Sequence, residues 1–403
     1  MSMPAFQDTF RTAVESGSII GAVVVAENKS GTFSYAEAFG QADASLDPQA
    51  LTPHATFWMA SCTKLLTTIA SLQCVERGLL ALDVPADIAR LLPEYAHPEV
   101  LVGFDAHGAP LTRLAKGRIT LRQLLTHTSG LASDFGNPQL SAWRMRRGEG
   151  PRFSEADVVG RLQSPLVFEP GEGWDYSTLG MDWVGQIIER ANGGITLEKY
   201  MQEHIFQPLG MESTTFHLEQ KEEVRGRLTG MSVRAGETGG LVHMQGHLMH
   251  DPASYGSGGG GLYASAPDFL KVLVSILRDD GKLLKSASIA EMFSPQLSLV
   301  NKDVWMSKLK VEVVNRIMTG GMKVGTDLSW GLGGMCTLKD VEDRRSKGSL
   351  AWGGYPNLFW WIDREGEIAG LYASQVIPAG DPKSTALFAE FEAGVYQMVK
   401  AQE

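Results

Sequence analysis

The chain has 403 residues, and 43% of them are hydrophobic, which is enough for one large domain or two closely packed ones. Its 46 acidic and 36 basic residues give a net charge of −10 without a basic run, so we expect no nucleic-acid partner. No apolar run approaches the length of a membrane span, no secretory signal opens the chain, and its three cysteines are a sparse, odd set, so we expect a cytoplasmic protein without a membrane partner.

Strands and helices are predicted near both ends of the chain, with a mainly helical stretch between them. In chain order, the predicted elements are a helix at 5–17, strands at 19–26 and 33–39, helices at 61–77 and 121–125, a helix that contains 183–191, a helix over 265–281, strands at 329–338, 348–353, 357–363 and 368–375, and a helix at 388–399. This pattern predicts an α/β (α+β) protein with an antiparallel sheet flanked by helices. We expect residues 1–80 and 262–403 to build the sheet unit, and residues 81–261 to form an inserted, mainly helical region.

The segment Ser61-Cys62-Thr63-Lys64 lies at the predicted start of a helix. Residues three apart share a helix face, so Lys64 can stand beside Ser61 and help to activate its weakly nucleophilic hydroxyl. The helix N-terminus disfavours a protonated lysine and offers N–H groups to an oxyanion. A Ser-x-x-Lys also arises by chance, so a capping serine and a solvated lysine are the alternative. Cys62 points away from this face and is expected to be a small buried side chain.

A second candidate, Tyr176, follows a turn that contains Gly171 and Gly173 and directly precedes a predicted helix. A tyrosine on such a turn can be aimed into a cleft, and a neighbouring ammonium group stabilises its phenolate. Tyr176 near Lys64 could therefore act as a general base. The alternative is a tyrosine half-buried at a helix start.

A third candidate is the strand that runs through Trp352 into Gly353, Gly354 and Tyr355. Glycines let a substrate approach the backbone closely, and a backbone N–H on such an edge can donate to an oxyanion. A simple bulge is the alternative.

These motifs, in this order, resemble those of the serine β-lactamase and penicillin-binding-protein superfamily over nearly the whole chain. The chain is most similar to two branches, the family VIII carboxylesterases and the fungal lovastatin-type acyltransferases, which are transesterases. The segments that resemble the acyltransferases are 61–68, 72–79, 119–121, 124–131 and 329–334, and those that resemble the esterases are 174–177, 257–263 and 352–354. The resemblance implies a β-lactamase-like fold.

The resemblance also implies roles for single residues. Ser61 would be the acylated nucleophile, Lys64 would lower the pKa of its neighbours, and Tyr176 would be the general base and proton shuttle. The backbone N–H groups of Ser61 and Tyr355 would form the oxyanion hole. The residues expected to bind substrate are Phe135, Trp330, Trp352, Gly353, Gly354 and Tyr355.

Two positions depart from the pattern of the penicillin-recognising members. Trp352 stands where those proteins carry the lysine of Lys-Thr-Gly, and Thr178 stands where they often carry asparagine. Lys347 lies upstream of the glycine pair and does not replace that lysine. A neutral aromatic residue at this position predicts uncharged or bulky esters, rather than β-lactams, as substrates.

We therefore expect a serine carboxylic-ester hydrolase that acts on a small-molecule ester through an acyl-enzyme on Ser61. The alternative is an acyltransferase that moves an acyl group from a thioester or an acyl-carrier protein to a polyketide-type alcohol. A β-lactamase and a non-catalytic binding protein are less favoured. We expect no cofactor.

The histidines are not expected to form a metal site. His243, His247 and His250 have helical spacing, but no glutamate of the zincin type accompanies them and Gly246 weakens a helix there. We expect loop histidines instead, and a buried structural role for His127.

Overall fold

The computed structural model describes residues 5–45, 49–134, 136–150, 159, 162–246 and 248–402. The helices are α1 Ala5–Glu15, α2 Thr63–Glu76, α3 Pro85–Leu91, α4 Leu121–Leu125, α5 Pro138–Arg146, α6 Thr178–Ala191, α7 Leu197–Met201, α8 Gln207–Leu209, α9 Glu222–Arg225, α10 Ala266–Arg278, α11 Ser286–Phe293, α12 Leu299–Lys308, α13 Glu312–Thr319 and α14 Pro382–Lys400. The strands are β1 Gly21–Asn28, β2 Ser34–Gly40, β3 Thr56–Trp58, β4 Glu99–Phe104, β5 Pro110–Leu114, β6 Thr214–Thr215, β7 Ser232–Arg234, β8 Leu241–His243, β9 Tyr263–Ser265, β10 Leu328–Trp330, β11 Met335–Thr337, β12 Leu350–Gly354, β13 Leu358–Asp363, β14 Ile368–Ala373 and β15 Val376–Ile377. None of the described helices combines the length and the apolar character that a membrane span needs.

The largest sheet joins strands from the two ends of the sequence. It is seven-stranded and antiparallel, in the order β10-β11-β12-β13-β14-β1-β2. Val24 of β1 lies opposite Tyr372 of β14 on one side and opposite Glu37 of β2 on the other. A smaller sheet, in the order β3-β9-β6, pairs residues 263–265 with residues 56–58 on one side and with residues 214–215 on the other. The first and last thirds of the chain therefore share one framework, while the bounds expected for the inserted region stay a prediction.

The central strands are buried on both faces. All six residues of β13 are buried, and because successive strand residues point to opposite faces, such a strand must lie between two layers. Helix α10 packs on β1, β13 and β14, and α14 packs on β1 and β14. The ring of Trp361 lies 5.6 Å from that of Phe391 in α14. This layering explains why the strands read as continuous apolar runs in the sequence.

Most predicted elements are present, with three differences at their ends. The run 329–338 is not one strand but the hairpin β10–β11, which turns at residues 331–334 where the Gly331 N–H donates to the Gly334 carbonyl. The helix expected at 61–77 begins as a 3₁₀ turn over Ala60–Cys62 before α2. The last helix begins at Pro382, six residues before the apolar pattern, because the Asp381 side chain caps its first turn.

A separate apolar cluster lies beside the main core and is called the second cluster here. Its buried members are Trp58, Ala60, Leu218, Val224, Met231 and Tyr263, and partly buried Leu228, Met244, Leu248, Met249 and Ile377 pack against it. The three cysteines are buried and free. Burial raises the pKa of Cys62 far above its usual value, as expected for an inert, packed thiol.

Candidate active site

Ser61 lies in a strained turn that is tied to the neighbouring strand segment. Ala60 directly before it has φ +45°, a left-handed conformation that costs free energy for any residue except glycine. The Thr63 hydroxyl donates to the Ala60 carbonyl at 2.6 Å and accepts from the Leu262 N–H at 3.2 Å. These bonds hold the turn in place, so the Ser61 side chain starts from a fixed backbone position.

Lys64 lies beneath Ser61 and is almost completely buried. Its Nζ donates to Ser61 Oγ at 3.0 Å, to Thr178 Oγ1 at 3.3 Å and to the Gly259 carbonyl at 2.5 Å. Thr178 thus supplies a hydroxyl acceptor where related proteins often carry an amide. Burial lowers the pKa of Lys64 from its usual value near 10.5 to about 7. A neutral amine, able to accept a proton, is therefore accessible near neutral pH.

Asp182 is a buried carboxylate that the sequence reasoning missed. Its Oδ1 accepts from Ser257 Oγ at 2.6 Å and from the Gly259 N–H at 2.9 Å. Burial raises the pKa of Asp182 to about 6, and the charge of Lys64 works against that rise. Gly259 is required here because a Cβ at this position would lie 2.4 Å from the Thr178 carbonyl oxygen. Asp182 therefore fixes the loop whose carbonyl binds Lys64, and its charge favours protonation of that lysine.

Tyr176 is placed over Lys64 and Ser61, as expected from the sequence. Lys64 Nζ lies 4.8 Å from the centroid of its ring, and its phenol hydrogen-bonds with the Ser61 side chain. Trp352 Nε1 donates to the phenol oxygen at 3.3 Å. Burial raises the pKa of Tyr176 well above its usual value, more than these hydrogen bonds lower it. This raised pKa favours the neutral phenol near neutral pH, and the general-base role expected for Tyr176 stays a prediction.

His127 packs against the ring of Tyr176 and hydrogen-bonds with the next residue. Its Nδ1 accepts from the Ser177 N–H at 3.2 Å, and its ring lies 4.7 Å from the Tyr176 ring. Burial and the charge of Lys64 lower the pKa of His127 well below its usual value, so it is a neutral, hydrogen-bonded structural histidine. The Ser177 side chain in turn accepts from the Gly180 N–H and caps α6.

The end of β12 brings the third motif against the Ser61 turn. A Cβ on Gly354 would lie 2.6 Å from the Met59 carbonyl oxygen, so only glycine permits this close approach. Tyr355 follows at once and lines the same cleft as Ser61. The Trp352 ring lies 5.2 Å from that of Tyr176. The end of β12 thus lies against the Ser61 turn, and an oxyanion hole formed by the backbone N–H groups of Ser61 and Tyr355 stays a prediction.

Two residues expected to bind substrate are placed differently or not described. Trp330 has only 1% of its surface exposed and lies behind Trp352, with ring centroids 4.6 Å apart. Its Nε1 donates to the Leu125 carbonyl, so Trp330 supports the cleft wall instead of lining it. Phe135 lies outside the described residues, although its neighbours Asp134 and Gly136 line the cleft.

The cleft above Ser61 has a volume of about 640 Å³ and a mainly apolar lining. Helix α13 and the residue before it form one wall, through Val311, Val314, Ile317 and Met318, and α12 contributes Lys308. The sequence reasoning missed these residues, although their spacing of three to four is a helical signal. A cleft of this size can hold a drug-sized apolar molecule.

Lys308 is the one cationic side chain among the described residues that line the cleft. Its Nζ lies 2.9 Å from Asp175 Oδ1, and Asn137 Nδ2 donates to Asp175 Oδ2 at 2.8 Å. The pair neutralises Lys308 and ties the end of α12 to the residue before Tyr176. Among its described lining residues, the cleft therefore has no uncompensated cation comparable with the lysine of penicillin-recognising strands.

The histidines considered as metal ligands do not converge in the described structure. His243 and His250 are exposed, and His247 lies outside the described residues. Within the described ranges, no three His, Cys, Asp or Glu side chains are grouped so that they could hold a metal ion.

The arrangement contains the groups that acyl transfer through a serine ester requires. A hydroxyl lies within hydrogen-bond reach of a lysine with a lowered pKa, a phenol lies beside both, and the end of β12 lies against the turn that carries the hydroxyl.

Comparisons with known proteins agree with this chemistry. A family model described as Beta-lactamase matches residues 6–392. The chain is 36% identical to lovastatin esterase of Penicillium rubens, over 98% of each protein. It is 37% identical to monacolin J acid methylbutanoyltransferase of Aspergillus terreus, over 97% of this chain and 94% of that protein. The structure of unliganded simvastatin synthase from Aspergillus terreus superposes with a TM-score of 0.90 at 35% identity, covering 99% of each chain.

Proposed function

Because the chain belongs to the beta-lactamase family, we propose that it hydrolyses apolar carboxylic esters through an acyl-enzyme on Ser61. It is an enzyme, a serine ester hydrolase or acyltransferase, and its β-lactamase-like fold agrees with the prediction from the sequence. The observation that carries the proposal is the 3.0 Å contact between Ser61 Oγ and Lys64 Nζ at the base of a large apolar cleft.

Acylation begins with transfer of the Ser61 proton to neutral Lys64. Ser61 Oγ then attacks the ester carbonyl, and the oxyanion accepts hydrogen bonds from the backbone N–H groups of Ser61 and Tyr355. Tyr176 donates its phenolic proton to the departing alkoxide and recovers a proton from the Lys64 ammonium. The pKa directions favour this division, in which Lys64 is the base and Tyr176 a neutral relay, over a Tyr176 phenolate beside a charged Lys64.

Deacylation repeats the same steps with a second nucleophile. Water gives up a proton to neutral Lys64 through Tyr176 and attacks the acyl carbonyl, and Ser61 leaves as the hydroxyl after recovering a proton. We favour hydrolysis because water needs no dedicated site. An acyltransferase is the second candidate, and the observation in its favour is a cleft of about 640 Å³, which leaves room for a bulky alcohol beside the acyl-enzyme.

The names of the relatives suggest the substrate class. One relative is named for lovastatin and another for monacolin J acid and a methylbutanoyl group. The apolar cleft suits esters of such polycyclic, polyketide-type alcohols. An acyl-carrier protein or a free thioester is the donor to be tested for the transferase reaction.

A paired assay tests the proposal. In one arm the protein is given lovastatin; in the other it is given monacolin J acid with a methylbutanoyl thioester, and products are identified by mass spectrometry. We expect ester cleavage in the first arm, and thioester hydrolysis that exceeds ester formation in the second. Ser61→Ala should abolish both reactions, whereas Cys62→Ala, which alters the adjacent thiol, should remain active.

The outcomes separate the candidates. Ester formation in excess of hydrolysis would establish the transferase instead. Full activity of Ser61→Ala would overturn the mechanism. Nitrocefin should be a poor substrate, because Trp352 stands where a β-lactam carboxylate would need a cation.

A further inference from the structure

A second cavity, of about 240 Å³, lies beside the catalytic cleft. We call it the side chamber. Its apolar walls are Trp58, Leu228, Met231, Met244, Leu248 and Tyr263, all of which belong to or pack on the second cluster. Its described polar lining side chains are Thr229, His243 and Gln375, and no Asp, Glu, Lys or Arg is among them. The side chamber is therefore suited to an apolar occupant.

Trp58 and Met249 line both the side chamber and the cleft, so they form the boundary between the two. Trp58 is fixed, because its Nε1 donates to the Gly260 carbonyl at 2.7 Å and its backbone pairs with Tyr263 in the β3–β9 ladder. Met249 is only partly buried. A methionine has a flexible, unbranched side chain, so the boundary can open at Met249 while Trp58 stays in place.

The boundary residue Trp58 lies close to the nucleophile along the chain. Trp58 precedes Ser61 by three residues, and Ala60 between them is a buried member of the second cluster. Met231 and Met244 lie beyond this boundary, because they line the chamber but not the cleft. A chain attached to Ser61 that passes Met249 would reach them.

We propose that the side chamber binds the apolar chain of the acyl group while that group is esterified to Ser61; this rests on the proposed acyl-enzyme. The acyl group is the part of the substrate that stays tethered between the two half-reactions. The alcohol or water must exchange with solvent in that interval, and the cleft of about 640 Å³ provides that passage. The side chamber, whose described lining is mainly apolar, suits the tethered chain. Three methionines, at 231, 244 and 249, let it adapt to chains of different shape.

Hydrolysis of p-nitrophenyl esters with acyl chains of increasing length tests the proposal, since the leaving group stays constant. We expect wild-type kcat/KM to rise by about fourfold for each methylene that enters the side chamber, until it is full. Met244→Phe, which fills the chamber, should lower the octanoate-to-acetate ratio of kcat/KM by about tenfold or more. Met244→Ala should move the optimum towards longer chains. The two variants push in opposite directions, so one remains informative if the other misfolds.

A matched variant on the opposite wall provides the control. Val314→Phe narrows the cleft but does not touch the side chamber, so it should impair acetate esters of bulky alcohols while the acyl-length profile is retained. Unchanged octanoate-to-acetate ratios in both Met244 variants would overturn the proposal, as would a change confined to the alcohol series. A wild-type protein that fails to form an acyl adduct with p-nitrophenyl acetate would instead refute the proposed function itself.

Discussion

Burial moves the pKa values of Lys64 and Tyr176 in opposite directions, and this decides which of them can accept a proton near neutral pH. The lowered pKa of Lys64 makes its neutral form accessible, while the raised pKa of Tyr176 makes its anion scarce. The positions of both residues followed from the sequence, but their protonation states did not. Those states depend on the surrounding Trp352, Asp182 and Gly259, which are distant in sequence from Lys64.

Tyr176→Phe should show whether Tyr176 is the proton relay or the general base. We expect kcat to fall by about 10²–10⁴-fold, because the relay to the leaving group is lost. The rise of kcat/KM with pH should remain, since deprotonation of Lys64 through a pKa of about 7 produces it. Steady-state rates across the pH range provide the measurement. Loss of that rise in the variant would identify the phenol as the base.

Asp182→Asn should shift the same pH dependence. The carboxylate raises the pKa of Lys64, so its removal should lower that pKa further and move the rise of kcat/KM to more acidic pH. Asparagine retains an oxygen that can accept from Ser257 and Gly259. Glu189→Gln, on the same helix and bonded to the Leu197 N–H, is the control that should leave the profile in place. A purely structural Asp182 would change stability without moving the profile.

Helix α13 and the end of α12 shape one side of the cleft. Val311, Val314, Ile317 and Met318 line the same cleft as Ser61, and the Lys308–Asp175 ion pair ties this wall to the segment that carries Tyr176. The Lys308–Asp175 ion pair therefore connects the cleft wall to the segment of the proton relay. A change in that connection should alter substrate binding more than chemistry.

Lys308→Met keeps an apolar stem but removes the ion pair. Because partly exposed pairs contribute about 0.2–1 kcal/mol, we expect KM to rise by up to about fivefold with a smaller change in kcat. Lys302→Met, on the same helix, breaks the pair with Asp327 away from the cleft and should leave KM unchanged. Equal effects of the two variants on KM would contradict the role of the Lys308 tie.

Local sequence patterns predicted the elements whose ends carry their own signals. The cap at Ser265 and the helix after it, and the short helix Leu121–Leu125, appear where the residues indicate them. The pattern failed at residues 329–338, because the apolar run continues through a glycine turn. Ser61, Lys64 and Tyr176 could be predicted since their signals are local. Asp182 could not be predicted, because its role depends on its hydrogen bonds with Ser257 and Gly259, which are distant from it in sequence.

The whole molecule assembles the candidate site from three distant stretches of chain. The Ser61 turn, the Tyr176 turn and the end of β12 meet only because the sheet, α2 and α6 are all in place. These three stretches are far apart in sequence, so no single local segment contains the whole candidate site. A serine-directed probe should therefore react only with chains that have completed the fold.

The pairing of β1 with β14 has a consequence for how the protein is made. Val23 leaves the ribosome some 350 residues before its partner Ala373. At synthesis rates of about 5–20 residues per second, the delay is roughly 20–70 seconds. During that time β1 can form its hairpin with β2, but the backbone N–H and C=O groups along its other edge have no partner strand. The valines of β1, which are buried in the folded protein, are exposed as well. The nascent protein thus exposes an aggregation-prone edge until β14 emerges, and chaperones that shield such edges should govern its yield.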